Sequence, residues 1–422
     1  DLFLPGALAG VAQAFGLPNS LLFAPGQGNT ETATQDNSTM SLFAQVDIQL
    51  NEKLNAILGV SYIEDEKEVS YNQINTAVFS NLDFVGAGTL GLINAGFPPA
   101  QAAILAQDPA YNPLLPLQAL QFIPKFVDIP NSAQDGKSKD DNVDFTAKLS
   151  YAFNDAVNIY GGISTGFKAT AWNISRNSLP DATERAALAA AGTPVGPNTG
   201  VGTRFANPEE AKVLELGAKM YLPNGYLNIA YFDQEIKGFQ SNTFIGTGFV
   251  LANAGSQSAD GFEFDLMISP IESIDLAISG LIMDPIYDSF PASAAGDLSG
   301  TVPSNIPEET FSTTATWNWS RGQYDGYIRF SHLYSSEVKL SENPEWQALL
   351  DTKGNGRRKQ DTLNFSAGVE RGAFSLALWG KNINDDEFLT TIFPAVADPT
   401  STSFFGYPNA FKSYGLTLNY TF

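Results

Sequence analysis

Val143, Phe145, Ala147, Leu149, Tyr151 and Phe153 are aromatic or aliphatic, while Asn142, Asp144, Thr146, Lys148 and Ser150 between them are polar. A strand sends successive side chains to opposite faces, so this alternation sorts the two sets onto separate surfaces. The last segment repeats it: Tyr414, Leu416, Leu418, Tyr420 and Phe422 alternate with Ser413, Gly415, Thr417, Asn419 and Thr421. Similar runs stand at 54–62, 262–268, 274–282, 311–319, 363–369 and 374–380. The spacing predicts thirteen strands, over 39–50, 54–66, 141–153, 157–168, 208–221, 226–238, 250–268, 274–286, 308–319, 324–336, 360–370, 373–384 and 411–422.

The connections alternate too. Short turns fall near 51–53, 154–156, 222–225, 269–273, 320–323 and 371–372, and long connections near 67–140, 169–207, 239–249, 287–307, 337–359 and 385–409. A soluble sandwich or propeller has no reason to gather its long loops at one end. A transmembrane barrel has one, with short periplasmic turns and long outer loops. The composition agrees: 16% charged residues and 12% aromatic ones suit a β protein with one face in something apolar. The expected fold class is all-β, an antiparallel transmembrane β-barrel. Residues 1–38 and 67–140 are expected to be long loops. The uncharged stretch 2–30 is broken by Pro5, Pro18, Pro25 and several glycines, so it reads as loop rather than membrane helix. Short helices are expected within the long connections, at 99–107, 181–191 and 344–350. Single-chain bacterial barrels have even strand numbers. An odd tally whose first strand runs toward a short turn therefore implies part of a larger barrel.

Several functions are excluded. With 45 acidic and 23 basic residues, a net charge of −22, the chain lacks the basic footprint of a nucleic-acid binder. It has no cysteine, which removes disulfides, thiolate metal sites and cysteine nucleophiles, and its one histidine, His332, rules out a histidine metal cluster. No residue is assigned to catalysis, to a cofactor or to a metal. Ser164 sits in Gly162-Ile-Ser-Thr-Gly166, a Gly-x-Ser-x-Gly match, but the surrounding strand runs on without the sharp turn a nucleophile elbow needs. A serine hydrolase using Ser164 and His332 is the remote alternative. Gly86-Ala-Gly-Thr-Leu-Gly91 matches a dinucleotide fingerprint without a βαβ unit around it, and reads as a flexible surface loop. The run Glu64-Asp-Glu-Lys-Glu68 reads as solvated charge, with divalent-cation binding as the sharper reading. Trp172, Phe404, Phe405 and Tyr407 fall in outer connections, where rings stack on a ligand or pack the loops themselves. Arg357 and Arg358, beside Lys359, offer positive charge to an anionic metal chelate or lipid phosphate.

Six stretches in order resemble the C-terminal part of TonB-dependent outer-membrane receptors. They are Ser41–Asp47 with Leu58–Tyr62, Asn158–Lys168, Pro208-Glu-Glu with Leu214–Lys219, Asn253-Ala-Gly255 with Gly261-Phe-Glu263, Leu378–Asp386, and Ser413–Phe422. Phe411-Lys412-Ser413 stand where the family usually has Pro-Arg before the last Tyr-Gly. The resemblance implies a barrel of about twenty-two strands, with this chain carrying the later ones and neither the plug domain nor the TonB box. It further implies a bacterial outer-membrane receptor that takes up a scarce nutrient, most often a ferric siderophore or similar metal chelate. Its partners would be TonB acting through the plug, outer-membrane lipid and lipopolysaccharide, and the barrel-assembly machinery, which would read Tyr420 and Phe422 as a terminal signal. A passive porin-like channel is the alternative.

Overall fold

The computed structural model describes residues 10–120, 136–174, 205–244, 249–291, 293, 295–395 and 402–422. In chain order come β1 (Asn29–Gln49), β2 (Leu54–Asn75), β3 (Lys137–Asn154) and β4 (Val157–Lys168). The next connection holds β5 (Ala171–Trp172) and β6 (Phe205–Ala206). β7 (Glu209–Leu222) and β8 (Gly225–Lys237) follow, then a hairpin of β9 (Gln240–Phe244) and β10 (Phe249–Asn253). After these come β11 (Ser256–Ile271), β12 (Ile274–Ser289), β13 (Glu309–Arg321), β14 (Tyr324–Lys339), β15 (Arg357–Arg371) and β16 (Phe374–Lys381). β17 (Leu389–Pro394) and β18 (Phe404–Pro408) precede the final β19 (Ser413–Tyr420). Thirteen of these strands form one sheet whose order follows the chain, from β1 to β19, and the other six make three two-stranded hairpins within the connections.

Consecutive antiparallel pairing puts every short turn at one end. Two of the turns are closed by an asparagine: Asn51 Oδ1 accepts from the Lys53 and Leu54 amides, and Asn154 Oδ1 from Ala156 and Val157. Two others place glycine at positive φ, Gly322 at 66° and Gly372 at 57°, a conformation that costs glycine nothing. The sheet's outer face is apolar and open, with Leu149, Leu216, Phe262 and Leu378 all exposed. Aromatic rings band this face at both heights. Tyr151, Tyr324, Phe374 and Tyr420 lie near the short turns, and a row of Phe264, Phe311 and Tyr334 crosses the strands nearer the long connections. Two aromatic girdles around an apolar band are the signature of a membrane barrel wall. Each strand between β2 and β16 in the thirteen-stranded sheet pairs with a neighbour on both sides, as lipid demands, and β1 and β19 are its two edges. Among the described residues no helix is long and apolar enough to cross a membrane.

Several expectations need correction. Residues 29–38 and 67–75 are strand rather than loop, because β1 and β2 stay in register from Gln49↔Asn55 to Asn29↔Asn75. β3 likewise begins at Lys137 rather than beyond 140. Residues 29–38 are almost all polar, and 67–75 hold only Val69, Tyr71 and Ile74 among polar residues, too few to set a period-two signal. The strand expected over 250–268 is divided: residues 249–253 belong to β10, and β11 starts at Ser256. Asn253 anchors the base of that hairpin, donating to the Asn207 and Gly238 carbonyls and accepting from the Asn207 amide. The glycine-rich stretch 86–91 is not a flexible loop but lies in a helix, Phe84–Asn94, capped by Asp83, whose carboxylate accepts from the Gly86 amide. The helices expected at 99–107 and 344–350 are present as Pro99–Leu105 and Pro344–Thr352; the one at 181–191 lies outside the described residues. Residues 10–28 and 76–120 pack as a helical cap over the far end of β1 and β2, around Val11, Leu22, Phe79 and Phe84.

Candidate functional site

Two surfaces have the chemistry to handle a solute. The first is the sheet's inner face. Antiparallel register sets Ala230, Glu263, Leu281, Thr310, Ser335 and Gln360 in one row across β8 to β15. The row beside it runs through Asn228, Asp265, Ser279, Ser312 and Leu333. Together with Tyr160 and Lys219 these rows line a hollow of about 740 Å³ of mixed polar and apolar character. Lys148 sits 4.4 Å above the Tyr160 ring and 3.9 Å from the Glu215 carboxylate. The Tyr160 ring can lie flat here because its cross-strand partner is Gly217, where a Cβ would come within 2.5 Å of the ring. The wall thus carries charges of both signs, partly paired, over which a hydrated solute can pass.

The second surface is a cavity of about 400 Å³ where four long connections meet. Phe239 and Gln240 enter it from the start of the β9–β10 hairpin, Tyr287 from the end of β12, Glu342 and Trp346 from the β14–β15 connection, and Phe404 from β18. Local structure fixes each one. Gly238 turns the chain at φ 66°, and the Ala254 amide donates to the Phe239 carbonyl. The Tyr287 backbone is held by a donated bond to Thr301 and an accepted one from Gly300, packing its ring against Phe290. Asn343 caps the helix Pro344–Thr352, accepting from the Trp346 amide, and so presents Trp346 on the helix's first turn. The Trp346 and Phe404 rings meet edge to face at 6.5 Å.

Glu342 is the cavity's charge. Its Oε1 accepts from the Tyr287 hydroxyl at 3.2 Å and the Ser304 amide at 2.7 Å. Burial, and then the Glu342 carboxylate itself, push the Tyr287 hydroxyl above its usual range, which keeps it a donor. Gln240 is 8% exposed, and its Nε2 donates to the Ala169 and Asn207 carbonyls. Its Oε1 is buried without a hydrogen-bond partner among the described residues. No group of three or more metal-ligating side chains occurs among the described residues.

A sequence profile described as TonB dependent receptor-like, beta-barrel matches residues 9–383. The chain belongs to the TonB-dependent receptor-like β-barrels. No curated protein sequence matches it significantly. Its fold is similar to the ferric yersiniabactin uptake receptor FyuA from Yersinia pestis, at 15% identity and TM-score 0.63 over 93% of this chain and 47% of that one. It is also similar to the ferric-catecholate import receptor Fiu from E. coli K12, at 12% identity and TM-score 0.57 over 92% of this chain and 45% of that one. The siderophore receptor PiuA from Acinetobacter baumannii gives 15% identity and TM-score 0.53 over 92% of this chain and 44% of that one. The chain thus spans about half the length of these receptors.

Within this receptor barrel the expected ligand residues do not form one group. Phe404 lines the loop cavity. Tyr407 sits on the same β17–β18 hairpin, exposed, its ring 6.0 Å from Phe393, and Arg358 donates to the Thr390 carbonyl of β17. Arg357 pairs instead with Glu337 and Asp351 of its own connection. Trp172 belongs to the separate β5–β6 hairpin, against Phe205, with its indole donating to Ser138. Tyr420 ends β19, and the Phe422 ring stands edge-on to it at 4.9 Å. Ser164 lies mid-strand in β4, paired with Thr146 and Val213, so the nucleophile elbow is absent. His332 lies in β14, its Nε2 2.6 Å from Asp361. Five strands separate β4 from β14, roughly 30 Å along the sheet at about 4.8 Å per step. Sequence reasoning missed Phe239, Gln240, Tyr287, Glu342 and Trp346, because no single stretch holds more than two of them.

Proposed function

We propose that this chain forms part of the barrel wall of a bacterial outer-membrane receptor that imports a scarce small molecule, a ferric siderophore or similar metal chelate, with energy from TonB. The observation that carries the reading is the pairing of an apolar, girdled outer face with a charged inner one, in a chain of the TonB-dependent receptor family. Cargo would be captured among the outer connections and released along the inner wall when TonB acts on the plug. The reading includes no bond-making step. Tyr420 and Phe422 serve the assembly machinery as the terminal aromatic signal, and the outer face contacts lipid and lipopolysaccharide. The names of FyuA, Fiu and PiuA support iron chelates as the cargo class.

The test is uptake of radiolabelled ferric chelates by cells expressing the whole protein in a strain stripped of its own receptors. Uptake that stops when TonB is deleted is the expected result. Uptake that persists without TonB would replace this reading with a passive channel, and no uptake of any chelate would remove the cargo class.

A further inference from the structure

The loop cavity carries a chemical preference that the family does not dictate. Among the described residues its lining includes Phe239, Tyr287, Trp346 and Phe404, one carboxylate at Glu342, and no Lys, Arg or His. Glu342 forms no ion pair among the described residues, and its two hydrogen bonds both end on Oε1, which leaves Oε2 available to a ligand. Aromatic faces attract cations through their quadrupoles, and a carboxylate in a partly desolvated site makes a strong charge-assisted bond to an N–H cation. An anionic group placed here would meet Glu342 with no cation to offset it.

We propose that this cavity is a subsite for an organic cation, a protonated amine or guanidinium group on the transported small molecule, held by Glu342 and the rings of Trp346 and Tyr287. The idea deepens the transport reading and rests on it for the word transported, but the subsite itself does not depend on which chelate is carried. The arginines beside the cavity are not part of it: Arg357 is spent on Glu337 and Asp351, and Arg358 on the Thr390 carbonyl.

The experiment uses the purified whole protein and three probes of one shape: benzylammonium, benzyl alcohol and benzoate. Tryptophan fluorescence quenching is measured, and the Trp346→Phe variant assigns the signal to the cavity. Benzylammonium is expected to half-saturate at a concentration at least tenfold below that of benzyl alcohol, and benzoate is expected to give no Trp346-dependent quenching. Glu342→Gln should bring the amine and the alcohol within about twofold of each other. Equal affinities or a preference for benzoate in the unaltered protein would overturn the proposal with no variant required, and so would the absence of any quenching that Trp346→Phe removes. A selectivity untouched by Glu342→Gln, in protein that still migrates as a folded barrel, would overturn it as well. Failure of chelate uptake alongside normal amine selectivity would sink the transport reading and leave the subsite standing.

Discussion

Asn112 ties two helices and a turn together with one side chain. It is fully buried, its Nδ2 donates to the Phe84 and Ala106 carbonyls, and its Oδ1 accepts from the Leu114 amide. Gly88 leaves the room: a Cβ there would stand 2.3 Å from the Asn112 amide. The glycine spacing that matches a nucleotide fingerprint is therefore explained at Gly88 by close packing of a helix against an asparagine. Gly88→Ala is expected to loosen the cap by about 1–3 kcal/mol, the usual cost of overpacking. Gly91→Ala, which meets nothing within 4 Å, should stabilise the helix by up to about 1 kcal/mol through propensity alone. Hydrogen exchange across 84–105 separates the two, and equal protection in both variants would refute the packing account. This pairing was invisible in the sequence because Gly88 lies in a helix and Asn112 in a loop beyond the next one, and neither has a periodic partner.

At the scale of strands, the alternating segments were legible because each has one face in lipid and one in water. The extensions of β1 and β2 were not, since polar residues dominate there and the few apolar ones set no sustained alternation. The same logic gives two predictions. Leu149 is exposed on the outer face at mid-span of β3, so Leu149→Arg should cost about 2–4 kcal/mol in a bilayer. Ser150→Arg, one residue on and facing inward, should cost far less. Unfolding in lipid vesicles compares them, and similar losses would argue against the assigned faces. Gly261 of β11 approaches β12 so closely that a Cβ would lie 2.2 Å from the Ile282 carbonyl oxygen, a backbone atom that cannot step aside. Gly261→Ala should therefore reduce assembled barrel sharply, whereas Gly166→Ala, with its nearest neighbour at 3.8 Å, should not. The readout is the heat-modifiable band on a gel.

Across the whole molecule, the strand number, the sidedness of the connections and the membrane wall could all be read from local patterns. The loop cavity could not. Its lining comes from residues as far apart as Phe239 and Phe404, brought together only when consecutive hairpins stack their long connections at one end. Each connection contributes one or two rings and no motif. The net charge of −22 takes on a different meaning at this scale. Charge repeated on the inner wall and connections makes the surroundings of the cavity favourable to cations over a range set by salt. Raising ionic strength from about 0.05 to 0.5 M is expected to weaken benzylammonium binding several-fold while leaving benzyl alcohol unaffected. A titration showing equal salt sensitivity for both would remove electrostatics from the account.

The β1–β2 ribbon sets how far the molecule extends from the membrane. β1 runs for 21 residues, about 70 Å at some 3.4 Å per residue. A tilt of about 40° and an apolar band of about 25 Å leave roughly 25–30 Å of ribbon standing clear of the lipid. At its tip sits the helical cap, whose segment 76–120 carries only two charged residues, Asp83 and Asp108. A phage fibre, an antibody or a bulky solute arriving from the medium would therefore touch a nearly neutral cap before it felt the acidic ribbon and barrel mouth behind it.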